Sequence, residues 1–107
     1  MTAKEWLELT LEPADECGFR PIRPRVVCKD GFSVSIQGNT RHHYCAPREV
    51  VDWGYEYELG YPSERDETIM SYAKDRTDPT GTVYGFVPID IIETLIQKHG
   101  GIVRWTP

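Results

Sequence analysis

Apolar and polar positions along the chain fall into short runs of two periods, and these outline the elements. In "RVVCKDGFSVSIQG", two β-branched, apolar runs flank Asp30-Gly31. Asp-Gly between such runs predicts a hairpin with a two-residue turn, with strands over about 25–29 and 32–37. Phe32, Val34 and Ile36 then share one face, and Ser33, Ser35 and Gln37 the wet one. "YEYELGY" alternates again, predicting a strand with Tyr55, Tyr57, Leu59 and Tyr61 on one face and solvated Glu56 and Glu58 on the other. "TVYGFVP" is a further strand, in which Gly85 marks a bulge or the close approach of another backbone or a ligand.

The period changes at "PIDIIETLIQKHGG", which predicts a helix over 88–99. Pro88 takes its first position, Asp90 and Glu93 come early, Lys98 late, and Gly100 lies beyond the end. Ile89, Ile92 and Ile96, widened by Ile91 and Leu95, form the stripe that packs on the sheet. "IVRW" returns as a short edge strand.

Other segments read less sharply. Thr2 and Glu5 form a capping box, yet Leu7, Leu9 and Leu11 alternate, so residues 2–11 are a short helix or an irregular arm. Residues 13–24 hold three prolines and are loop. "RHHYC" continues as a strand or bulged edge until Pro47. Ser63 is placed to cap a short helix over 64–73, and "KDRTDPTG" is loop. The sum is one α+β domain: an antiparallel sheet of four to five strands with the C-terminal helix on one face. Residues 1–30 supply a loop-rich arm and the first strand, and residues 31–107 the core.

Composition changes the picture in three ways. A chain of 107 residues that is 39% hydrophobic fits one domain and no more. No apolar run reaches the roughly 20 residues of a membrane span, and "MTAKEWLELTLEPADE" lacks a signal-peptide pattern, so the expected location is the cytoplasm. The net charge of −5 is uneven: residues 1–50 carry seven basic and seven acidic side chains, and residues 51–107 five and ten. Such a chain is not drawn to bulk nucleic acid, but the cluster Arg20, Arg23, Arg25 and Lys29 can hold one phosphate group. Conversely, Asp52, Glu56, Glu58, Glu64, Asp66 and Glu67 are candidates for an acidic face that occupies a partner protein's nucleic-acid groove.

"RHHYCAPREV" concentrates the candidate chemistry. A zinc site drawn from His42, His43, Cys45 and Cys28 or His99 has poor spacing, because adjacent histidines of an extended segment point apart. A nucleophile pair of Cys45 with His43 or His99 lacks a legible orienting group and oxyanion hole. Three cysteines without a C-x-x-C pair argue against a disulfide framework and read as small, partly buried residues. No catalytic residue, metal or cofactor is therefore assigned. A binding surface remains: Arg41, Tyr44, Arg48, Trp53 and Tyr84 combine forked guanidinium groups with flat rings, which suits a nucleotide-type small molecule. The competing reading makes the tyrosines core and the arginines solvated.

The motifs "SIQ" at 35–37, "HYCAPR" at 43–48, "GYPS" at 60–63, "VYGFVP" at 83–88 and "HGG" at 99–101 form a recognisable series. In these the chain resembles a family of small uncharacterised proteins encoded by tailed phages and prophages, over roughly the last two-thirds of its length. Phe86 stands where that pattern has tyrosine, which removes a hydroxyl. The resemblance implies a lineage and not a reaction. It suggests an anti-defence protein in the cytoplasm of an infected bacterium, a non-enzymatic inhibitor that sequesters a nucleotide-derived immune signal. Two alternatives stay open: an anti-CRISPR protein that blocks a Cas effector through the acidic face, and a small zinc or hydrolase protein built on Cys45, His43 and His99. Oligomeric state is open, and a homo-oligomer with the site at its interface is compatible with the sequence.

Overall fold

The hairpin at Asp30-Gly31 forms, but over three residues. In the computed structural model, which describes residues 1–106, β1 (Arg25–Cys28) and β2 (Ser33–Gln37) pair with Val26 opposite Val34. Gly31 N–H donates to Cys28 O at 2.9 Å and Cys28 N–H to Phe32 O at 2.7 Å, so Lys29, Asp30 and Gly31 make the loop. Only Gly31 has positive φ, at 94°. Asp30 instead accepts the Phe32 N–H on its carboxylate at 2.9 Å, an Asx turn that serves where an Asp-Gly pair with two positive φ angles was expected.

β3 (Glu56–Gly60), β4 (Val83–Pro88) and β5 (Ile102–Thr106) complete an antiparallel sheet in the order β4, β3, β2, β1, β5. The capping box at Thr2 and Glu5 starts α1 (Ala3–Leu9), and α2 (Ile89–Lys98) crosses from one edge strand of the sheet to the other. Pro88 is the residue before α2 and not its first, with ψ 144°. Gly100 and Gly101, at φ 92° and 86°, end α2 by donating to Gln97 O and Ile96 O, a Schellman arrangement.

One core follows from this layering. Ile92, Leu95 and Ile96 of α2 and Ala3, Trp6 and Leu7 of α1 are buried in one cluster with Val26, Val34, Ile36, Tyr57, Leu59 and Val87 of the sheet. The N-terminal segment is thus part of the core, and β1 lies inside the sheet. Among the described residues no helix is long and apolar enough to cross a membrane.

Three expectations fail for tertiary reasons. Tyr55 and Tyr61 do not join Tyr57 and Leu59 in the core: they are 65% and 52% exposed, one before β3 and the other beyond it at φ 51°. "RHHYC" is turn and not strand; Ala46 alone bridges to Glu56. The helix at 64–73 shrinks to one 3-10 turn, Met70–Tyr72. Ser63 does not cap it, because its Oγ accepts from Ser33 N–H at 2.9 Å and its own N–H donates to Ser33 O at 2.8 Å.

Candidate functional site

Tyr57 lines a concavity beside α1. Its ring runs past two residues that have no side chain: a Cβ on Gly38 would lie 2.4 Å from Tyr57 Cδ2, and one on Gly54 2.9 Å from its hydroxyl. Gly38→Ala therefore overpacks this spot and is expected to cost about 1–3 kcal/mol, read as a lower midpoint in urea unfolding. Threaded between the glycines, the Tyr57 hydroxyl meets Asn39 Nδ2 at 3.4 Å. Asn39, at φ 67°, presents its Oδ1 to Arg23 Nη2 at 2.8 Å.

Arg23 is buried, with 6% of its surface exposed. Its Nη2 also donates to Leu7 O at 3.0 Å, and its Nε to Thr10 Oγ1 at 3.0 Å, so the guanidinium sits at the C-terminal end of α1. Burial lowers its pKa from the usual arginine value.

Above this network opens a groove of about 300 Å³ between α1 and the segment 52–57. Trp53 and Tyr55 line it with exposed rings whose centroids are 4.9 Å apart at 59°. Lys4 and Glu8 of α1 line the other side. Asp52, also at the groove, pairs with Arg20 Nη2 at 2.7 Å.

The five residues singled out from sequence are divided. Trp53 lines the groove, and Arg41, Tyr44, Arg48 and Tyr84 do not. Arg41 and Arg48 meet through a hydrogen bond from Arg48 Nη2 to Arg41 O at 3.1 Å. Arg48 lies 5.8 Å from the centroid of the Tyr44 ring, and Lys74 Nζ lies 4.4 Å from it. The ring thus already carries cations, which leaves it poorly placed to stack a base. Tyr84 is fully buried, and its hydroxyl donates to Pro79 O at 2.5 Å, so it offers no ring face to a ligand. Burial raises its pKa.

Gly85 does mark a close approach. A Cβ there would lie 2.9 Å from Lys74 Cε and 3.2 Å from Tyr44 Cβ, and the register of β3 and β4 shifts here, between Tyr57 opposite Val87 and Leu59 opposite Tyr84. Phe86, at φ 54°, donates its N–H to Tyr44 O at 2.9 Å. Glu58, expected in solvent, turns onto this segment and accepts from Tyr44 N–H at 3.1 Å, with His43 Nδ1 at 3.3 Å. Burial pushes its pKa up, but the hydrogen bonds from His43 and Tyr44 outweigh that and lower it.

Cys45, His43 and His99 do not converge. The Cys45 thiol is buried and donates to Thr40 O at 3.1 Å, and burial raises its pKa, the opposite of an activated nucleophile. His42 stacks on Phe19 at 4.1 Å. His99 lies between Asp30 and Asp66. Among the described residues no three His, Cys, Asp or Glu side chains are grouped to hold a metal.

The acidic residues are also dispersed. Asp66 is 4% exposed and internal, Glu58 is turned inward, and Asp52 and Glu67 are paired with Arg20 and Arg65. Glu56 and Glu64 remain without an ion-pair partner among the described residues.

Sequence reasoning missed Tyr55, read as core, and Arg23, read only as one of four clustered cations. Of that cluster Arg20 reaches Asp52, Arg25 reaches Ser33 and Tyr61 O, and Arg23 alone enters the groove. Comparison with protein-family models, curated proteins and solved structures gives no match.

Proposed function

We propose that the chain is a non-enzymatic binding protein that sequesters a nucleotide-type small molecule in the groove between α1 and residues 52–57. The observation that carries this is the exposed pair Trp53 and Tyr55 at a concavity whose floor is polar and fixed. A base can stack on either ring, and the amide, phenol and guanidinium supply hydrogen bonds that orient it. The motif resemblance to phage proteins supports placing this activity in an inhibitor of bacterial immunity that removes a nucleotide-derived signal. Binding alone accomplishes that, without a reactive group.

A thermal-shift screen against nucleosides, nucleotides, ADP-ribose and cyclic oligonucleotides tests the reading. A ligand held only by the folded state is expected to raise Tm by several degrees, since 100-fold excess over Kd stabilises by about 2.7 kcal/mol. Trp53 is 53% exposed, so Trp53→Ala should abolish that rise while leaving the Tm of the free protein within about 4 °C, an exposed substitution costing roughly 0.5 kcal/mol at most. No rise with any compound sinks it, and co-purification of a defence protein would favour the effector-blocking alternative.

A further inference from the structure

Arg23 carries a charge that its hydrogen-bond partners among the described residues do not neutralise. Its partners are a backbone carbonyl, a hydroxyl and an amide oxygen, all neutral, and no carboxylate of the described residues pairs with it. A guanidinium on a residue only 6% exposed is normally paired, because an uncompensated charge in so little water is costly. The end of α1 compensates in part: a long helix presents about half a negative charge there, and α1 has seven residues. Nη1 has no acceptor among the described residues. The residue lines the groove beside the rings that would stack a base.

We propose that Arg23 is the anion-binding residue of the groove, and that the ligand class is a nucleoside monophosphate: one base on Trp53 and Tyr55, one phosphate on the guanidinium. This rests on the reading of the groove as a nucleotide site and specifies it. Two features limit the ligand to one nucleotide. A groove of about 300 Å³ is at the small end for ligand sites. Its charged lining is balanced, with Lys4 and Arg23 against Glu8 and Asp52, so one phosphate finds a free partner in Arg23 while a triphosphate tail meets carboxylates. A cyclic oligonucleotide can seat only one of its units.

Isothermal titration of the full chain with adenosine, guanosine, their 5′-monophosphates and ATP separates the possibilities. The expected result is that one monophosphate binds at least about tenfold more tightly than its nucleoside and than ATP, the scale of one charge-assisted hydrogen-bonded contact. Arg23→Lys keeps the charge and loses the fork, and it should bring the monophosphate to within about threefold of the nucleoside measured on the same variant. If Arg23→Lys does not fold by circular dichroism, the wild-type ratio and its decline with added salt decide. A monophosphate no tighter than its nucleoside overturns the role of Arg23 and leaves the stacking site standing. ATP as tight as AMP overturns the single-phosphate limit. No binding of any of these compounds, nucleosides included, overturns the stacking site as well.

Discussion

Asp66→Ala is expected to destabilise the protein by about 3–5 kcal/mol, the range for removing one partner of a buried ion pair. Asp66 ties its own loop to the end of α2 and, through His99, to the loop between β1 and β2. Its Oδ1 accepts from Thr68 N–H at 2.9 Å and from Lys98 Nζ at 3.0 Å, and its Oδ2 meets His99 Nε2 at 2.7 Å. The other ring nitrogen of His99 meets Asp30 at 2.6 Å, and Phe32 stacks on the ring at 3.9 Å. A carboxylate on each nitrogen favours the doubly protonated ring, the imidazolium, at the end of α2 where the helix dipole also favours a cation. The alanine variant leaves that cation and Lys98 without their shared partner. Asp66→Asn retains one acceptor and should lose less.

The pH dependence follows from the same groups. Burial pulls the pKa of His99 down, but the hydrogen bonds to Asp30 and Asp66 outweigh it, and the net shift is upward. Its contribution is therefore full below the unfolded value of about 6.5 and disappears as pH rises through the higher folded value. Burial raises the pKa of Asp66, and hydrogen bonds from Thr68, His99 and Lys98 outweigh that and hold it well below the usual carboxylate range. Its contribution is full above about 3.9 and is lost on acidification through the lower folded value. Urea unfolding at pH 5, 7 and 9 should show a loss of stability on the alkaline side in the native protein and a shallower one in Asp66→Ala. An unchanged alkaline slope in the variant would remove Asp66 from this account.

What the sequence makes legible is what short-range periodicity encodes. A sheet of four to five strands, a helix over 88–99 and its glycine stop all follow from spacing within about a dozen residues, and the structure has five strands and the helix Ile89–Lys98. Destinations of long polar side chains do not follow in that way. Arg23 finds Leu7 O and Asn39, each 16 positions away, and Asp66 finds His99 at a separation of 33. An acidic residue early in a supposed helix and a buried partner of histidine look the same in one dimension. The tyrosines show the same limit: alternation treats Tyr55, Tyr57 and Tyr61 alike, whereas the strand begins at Glu56 and ends at Gly60, which sends two of the three to the surface. Trp53, singled out for its place shortly after Arg41, Tyr44 and Arg48, is an exposed ring at the groove. Its partner ring was hidden in an alternating run.

Trp6 tests whether the N-terminal helix is structural padding or part of the site. The residue is fully buried and packs edge-on to Trp105 at 6.5 Å, so Trp6→Ala removes the largest core side chain and is expected to cost about 3–5 kcal/mol. Its indole N–H, however, has no acceptor among the described residues, and a buried donor left unpaired costs roughly 1–3 kcal/mol. Trp6→Phe removes that donor along with part of the ring, so the two effects oppose each other and the net loss should stay below about 2 kcal/mol. The consequence for the groove is separate from stability. α1 supplies Leu7 O and Thr10 Oγ1, which fix the Arg23 guanidinium, and it carries Lys4 at the rim. At a temperature where both variants remain folded, the alanine variant should therefore lose the preference for a nucleoside monophosphate over its nucleoside, and the phenylalanine variant should keep it. Equal preference in the two would mean that Arg23 holds its position without α1, and the wall of the groove would then have to be sought in the 38–57 segment alone.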